Sequence, residues 1–179
     1  MEKHPLHQFR FCPVCGSAHF EENNIKSKKC QDCGFVYYFN SAAAVVAFIT
    51  DAKGRLLLAE RSREPAKGTL DLPGGFVDMF ETAEEAIIRE VNEETSLVIN
   101  QPRYCFSLPN IYLYSGFEVH TLDMFFEIRL DTIDITHPAD DVARLLLLEK
   151  DEINPDLIGL TSIREGVKKW LEKDAGKSS

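Results

Sequence analysis

GGFVDMFETAEEAIIREVNEETSL, residues 74–97, reads as a tight glycine loop running into one amphipathic helix. Thr82 followed three residues later by Glu85 is a capping box, so the helix is expected to begin at Thr82. Ala83, Ala86, Ile87 and Val91 recur at helical spacing and form its buried stripe. Glu90, Glu93 and Glu94 stand at i, i+3 and i+4, which projects three like charges to neighbouring points of one face. A hard divalent ion bound by oxygen cancels that repulsion, and magnesium or manganese is the natural candidate. A solvated acidic face is the bland alternative.

The spacing Gly75, then Glu81, then Arg89-Glu90, then Glu93-Glu94 resembles the signature of the Nudix hydrolase family. The family usually carries glycine where this chain has Phe80 and Ser96, while Val91 and Leu97 keep the expected apolar character. Ser96 falls where the helix should end in a left-handed turn, a conformation that costs a non-glycine residue about 1 kcal/mol. The resemblance implies that Glu90, Glu93 and Glu94 are metal ligands, any one of them a possible general base, with Glu81 a supporting carboxylate. Arg89 would orient the glutamates, since its planar fork holds carboxylates in place. Gly74, in a sharp Pro-Gly-Gly turn, is a candidate to lend its carbonyl to the metal. Asp140 or Asp141 stands where related enzymes often carry a further acidic ligand; a plain polar turn is the other reading.

Four of the five cysteines lie in the first 33 residues, as Cys12-Pro-Val-Cys15-Gly and Cys30-Gln-Asp-Cys33-Gly separated by 14 residues. Paired Cys-x-x-Cys knuckles of this kind signal a tetrahedral zinc site, with iron and two disulfides as rivals. No export signal is evident at the start of the chain, so a reducing, cytoplasmic setting is expected, and disulfides are disfavoured there. Residues 1–39 are therefore expected to form a small zinc ribbon with too few apolar residues for a core of its own, and residues 40–179 a larger domain. Cys105, between Tyr104 and Phe106, reads as a small packing residue.

With 29 acidic against 20 basic residues, the chain is a poor match for nucleic acid or an anionic membrane, and no apolar run is long enough to span one. The first 40 residues carry five basic and four acidic groups, leaving fifteen against twenty-five for the remainder. A protein so acidic would have to meet phosphates through metal.

Along the larger domain, residues 42–50 and 55–60 read as a hairpin, residues 70–72 as a short strand, and residues 97–99 and 104–108 as two more. Residues 109–120, PNIYLYSGFEVH, read as an aromatic loop; residues 122–130 alternate as a half-buried strand, and residues 143–148 form another. Ser162 with Glu165 reads as a second capping box, opening a helix through Ile163, Val167, Trp170 and Leu171. This order suggests a mixed sheet between helices, and the resemblance implies the Nudix α/β/α sandwich behind a small zinc ribbon. Tyr112, Tyr114 and Phe117 are candidates to stack on a nucleobase, against a role in the core; Arg61, in a basic loop, is a candidate phosphate contact, against a solvated one.

Zinc-ribbon-bearing Nudix enzymes such as the NADH pyrophosphatases resemble nearly the whole chain. Their Ser-Gln-Pro-Trp-Pro-Phe-Pro run is reduced here to Ser107-Leu108-Pro109-Asn110, which leaves NADH and ADP-ribose equally admissible. The resemblance implies hydrolysis of a nucleoside diphosphate linked to another moiety, often by a homodimer. A metabolite sensor that binds without hydrolysing, and a zinc-ribbon nucleic-acid module, are the alternatives.

Overall fold

The computed structural model describes residues 4–64, 66–135 and 142–175, which form two compact units, Met1–Ser41 and Ala42–Ser179. The first unit is a three-stranded antiparallel sheet of β1 (Phe20–Asn24), β2 (Ser27–Cys30) and β3 (Val36–Tyr38). Its sheet buries little beyond Phe20, Cys12 and Cys30, with Phe35 packed alongside. So small an apolar cluster cannot offset the chain entropy of some 40 ordered residues, and the thiols must make up the difference.

The second unit contains β4 (Ala42–Thr50), β5 (Leu56–Arg61), β6 (Leu70–Asp71), β7 (Gly74–Phe76), α1 (Ala83–Thr95), β8 (Arg103–Tyr114), β9 (Phe117–Arg129), β10 (Val142–Leu148) and α2 (Thr161–Ala175). Its mixed sheet runs β10-β5-β4-β9-β8, with β6 paired to β5 and β7 to β4. Helix α1 packs on one face, where Ala86, Ile87 and Val91 meet Val45, Ala47, Leu57 and Phe126. Helix α2 packs on the other, where Trp170 stacks on Phe48 at 5.8 Å and Phe48 on Phe125 at 5.5 Å. The architecture is the expected α/β/α sandwich with a mixed sheet.

Several elements depart from the sequence reading. The β4–β5 hairpin pairs only at Thr50 and Leu56; beyond the turn the strands splay, and β7 pairs along β4 while β6 pairs along β5. Strand β9 is buried on both faces rather than one, because it pairs with β4 and β8 and lies between the two helices: Thr121, Asp123 and Phe125 are as buried as Phe126 and Ile128. The aromatic stretch 109–120 is no loop but a β8–β9 hairpin, closed by Ser115 and Gly116 with φ of 52° and 75°, the two positive values a tight primed turn requires. Residues 97–99 form no strand. Helix α2 starts at Thr161, and Ser162 does not cap it: its hydroxyl donates to the buried Asp123 of β9.

Candidate active site and thiol centre

Helix α1 forms as its local chemistry dictates. Thr82 Oγ1 accepts from the Glu85 amide while the Glu85 carboxylate accepts from the Thr82 amide, and Ser96 ends the helix in the left-handed region at φ 58°. Phe80 is likewise left-handed, at φ 69°, with its ring wholly in solvent. Both positions where related sequences carry glycine thus keep glycine-like backbones, and the cost is strain rather than a changed loop.

Arg89 gathers the carboxylates. Its Nε and Nη2 donate to the two oxygens of Glu81, both at 2.8 Å, and Nη1 donates to Glu90 at 2.8 Å and Glu93 at 3.2 Å. Nη2 also reaches the Phe76 carbonyl at 3.0 Å, tying the helix to the glycine loop. The Arg89 guanidinium, with the Asp78 amide, holds the Glu81 carboxyl down at about 2. Burial pushes Glu90 up against the pull of Arg89. Glu94 turns the other way, accepting from the Gly74 amide at 3.0 Å; burial pushes it up to about 8, with Asp71 and Glu90 adding to the shift.

Gly74 is obligatory here, and Gly75 is what lets Glu90 take its position. A Cβ on Gly74 would lie 2.1 Å from the Val45 carbonyl oxygen, and one on Gly75 would lie 2.5 Å from Glu90 Oε1. The carboxylate of Glu90 therefore rests against bare backbone. Among the described residues, only the four thiols bring three or more Cys, His, Asp or Glu ligand atoms within 4.8 Å of one another. Glu90, Glu93 and Glu94 are instead held by Arg89 and by the Gly74 amide through one oxygen each, so a cation taking all three together must draw their other oxygens towards one point. All-oxygen donors, carrying charge and partly shielded from water, fit a hard divalent ion.

A cleft of about 320 Å³ opens beside Glu94, Gly74 and Gly75 and extends across the sheet to Asp71, Asn110 and Asp123. Arg61 and Tyr114 line it; Phe117, opposite Tyr114 at the hairpin tip, does not. Arg61 is an ion-pair partner of the buried Asp71, whose carboxyl is pushed up by burial and by nearby Asp123, against the pull of Arg61. The side chain of Tyr112, and both Asp140 and Asp141, lie outside the described residues. Asp71, Asn110 and Asp123 escaped the sequence reading as site residues, and Ser162 was read only as a helix cap. Asp123 fell on the solvent side of the expected half-buried strand 122–130, though the neighbouring Phe125 on that same face was a sign of burial.

In the N-terminal unit the two knuckles are built alike. Gly16 and Gly34 donate their amides to the Cys12 and Cys30 carbonyls, with φ of 74° and 77°, and Cys12 and Cys30 donate to Ser17 and Phe35. Sulfur–sulfur distances are 3.7 Å for Cys12–Cys33 and 3.6 Å for Cys15–Cys30. Four sulfurs about 2.3 Å from a central tetrahedral ion stand about 3.8 Å apart, so the set fits such an ion. The Cys33 and Asp32 amides lower the Cys30 thiol, while burial and neighbouring thiols push Cys15 and Cys33 up, so the charge of a bound ion is what would deprotonate the full set.

Comparison with known proteins adds the following. A family profile described as NUDIX domain matches residues 40–171. The NAD-capped RNA hydrolase NudC of Vibrio parahaemolyticus is 31% identical over 106 residues, 59% of this chain and 40% of that protein. The ADP-ribose pyrophosphatase of Methanocaldococcus jannaschii is 46% identical over 61 residues, 34% of this chain and 36% of that protein. This chain thus spans about two fifths of the length of the curated relatives it matches. A NUDIX hydrolase crystal structure from Nitrosomonas europaea superposes with a TM-score of 0.69 at 22% identity, covering 92% of this chain and 91% of that one, a likeness of fold. No helix among the described residues is long and apolar enough to cross a membrane.

Proposed function

The chain belongs to the NUDIX domain family, and from that membership we propose that it is a divalent-metal-dependent pyrophosphohydrolase. Its substrate is a nucleoside diphosphate linked to a second moiety, of the NADH or ADP-ribose kind. The observation that supports the reading is one cluster of four glutamates, three on the fork of Arg89 and the fourth, Glu94, on the amide of Gly74 at the edge of the cleft.

Glu90, Glu93 and Glu94 would hold magnesium or manganese, with the Gly74 carbonyl and Asp141 as further candidate ligands. The bound ion supplies neutralisation of charge on the diphosphate and activation of water. Glu81 stays ionised and fixes Arg89, whose Nη1 donates to both Glu90 and Glu93. One of the three ligand glutamates, in its ionised form, takes the proton of the attacking water. Tyr114 and Arg61 line the cleft, where the tyrosine would cover a base and the arginine, paired with Asp71, would contact a phosphate. Cys12, Cys15, Cys30 and Cys33 would hold structural zinc in a ribbon of residues 1–39, next to a catalytic domain of residues 40–179.

The test is a substrate panel with magnesium: AMP released from NADH or ADP-ribose, and a loss of kcat on the order of 10²-fold or more in Glu93→Gln and Glu94→Gln. A wild-type protein that binds one of these compounds yet hydrolyses none of the panel would replace the enzyme with a metabolite sensor.

A further inference from the structure

The cleft carries a second set of polar groups away from the glutamates. Asn110 on β8 and Asp123 on β9 are 7% and 3% exposed, and both line the cleft. Asp123 Oδ1 accepts from Thr121 Oγ1 at 2.5 Å, and its Oδ2 accepts from Ser162. Neither partner is a cation, and among the described residues no ion pair reaches Asp123. Asn110, opposite Thr121 in the β8–β9 register, makes no side-chain hydrogen bond among the described residues. Ala44 is the β4 neighbour of Asp123 and also lines the cleft, so a small side chain leaves the carboxylate accessible to a ligand.

The Asn110 amide is thus open to the cleft, where water holds a place that a ligand with matching groups can take. The chemistry of that ligand follows from the donors and acceptors. A carboxylate only accepts, and the two hydroxyls leave further lone pairs on both oxygens, so the group opposite must donate. A phosphate is excluded at this point by like charge. The uncharged part of the substrate therefore sits here while the diphosphate sits by Glu94. Asn110 adds one donor and one acceptor, matching a ring nitrogen beside an amine. We infer that Asp123 and Asn110 select an amino-substituted nucleobase, accepting from its exocyclic amine and pairing with the adjacent ring nitrogen.

This rests on the pyrophosphohydrolase reading for its site but is tested separately from it. AMP, GMP and IMP differ only in the base, and IMP lacks the amine. By calorimetry in magnesium, wild type binds AMP or GMP at least about tenfold tighter than IMP, because a site built for an N–H rejects the analogue lacking it. The tighter of AMP and GMP identifies a 6-amino or a 2-amino ring. In Asp123→Asn the new amide can donate to the hypoxanthine carbonyl, so the preference narrows to within about twofold or inverts. A purely structural loss would weaken all three ligands alike. Asn110→Ala, which leaves the Asp123–Ser162 tie in place, also narrows the ratio. Equal affinity of wild type for the three monophosphates, failure to bind any of them, or an unchanged ratio in both variants overturns the inference. NADH and its hypoxanthine analogue hydrolysed with equal kcat/KM would overturn it while leaving the enzyme reading intact. A base preference in binding without any hydrolysis would do the reverse.

Discussion

Replacing Glu94 by glutamine removes a carboxyl that the metal-free protein keeps protonated near neutrality. Burial raises it from 4.5 to about 8, so the folded state binds a proton the unfolded chain has released. Stability contributed in this way is full below the unfolded pKa and is lost as pH rises from about 4.5 through about 8. Between about pH 5 and pH 8 the span is about three units, or about 4 kcal/mol at 1.36 kcal/mol per unit, and about 2–4 kcal/mol once partial exposure of the side chain is allowed for. Urea denaturation in magnesium-free buffer at the two pH values, followed by the single tryptophan Trp170 on Phe48, measures it. Glu81, held down at about 2, stays ionised in both folded proteins and Glu90 is present in both, so the difference in pH slope between wild type and Glu94→Gln reports Glu94 together with its coupling to Glu90. The variant retains an oxygen for the Gly74 amide. The same proton competes with a cation, so magnesium affinity of the wild type should climb by up to about tenfold per pH unit towards pH 8 and then level off. Coincident pH slopes, within about 0.5 kcal/mol, would refute the reasoning.

Two further outcomes follow from other features. Phe80→Gly removes left-handed strain from a residue whose ring touches only solvent, so the midpoint of thermal unfolding should rise by a few degrees, equivalent to about 0.5–1 kcal/mol; a fall would mean the ring packs on something. Stripping metal from the purified protein with a zinc-selective chelator should abolish amide protection in Met1–Ser41 while protection in α1 and α2 persists, as read by hydrogen exchange; equal loss in both units would make the thiol centre essential to the whole chain.

Helix α1 was legible because everything that makes it is local: the Thr82–Glu85 box, the apolar spacing and the acidic face all lie within a few residues of one another. The thiol knuckles were legible for the same reason. Where the sequence misled, a distant partner had intervened. Ser162 matched a cap, but Asp123, thirty-nine residues away, claims its hydroxyl. The β4–β5 hairpin looked regular until β6 and β7 entered from outside it. Ser115-Gly116 did carry the signal for the β8–β9 turn, and the aromatics around it obscured that signal. Of the cleft, Arg61 and Tyr114 were foreseeable, whereas Asp71, Asn110 and Asp123 meet only through sheet order.

The fork of Arg89 has one last implication. Glu81, Glu90 and Glu93 already own an internal counter-ion, so a newly made chain can close this part of the molecule with no divalent ion at hand. Under the proposed function, loading would bring these carboxylates a second positive partner beside the one they already have. With zinc on its four thiols, as proposed, the cysteine unit would have its maturation tied to supply. The two halves of one polypeptide would thus feel scarcity of their respective ions at different moments, one while being made and the other while at work.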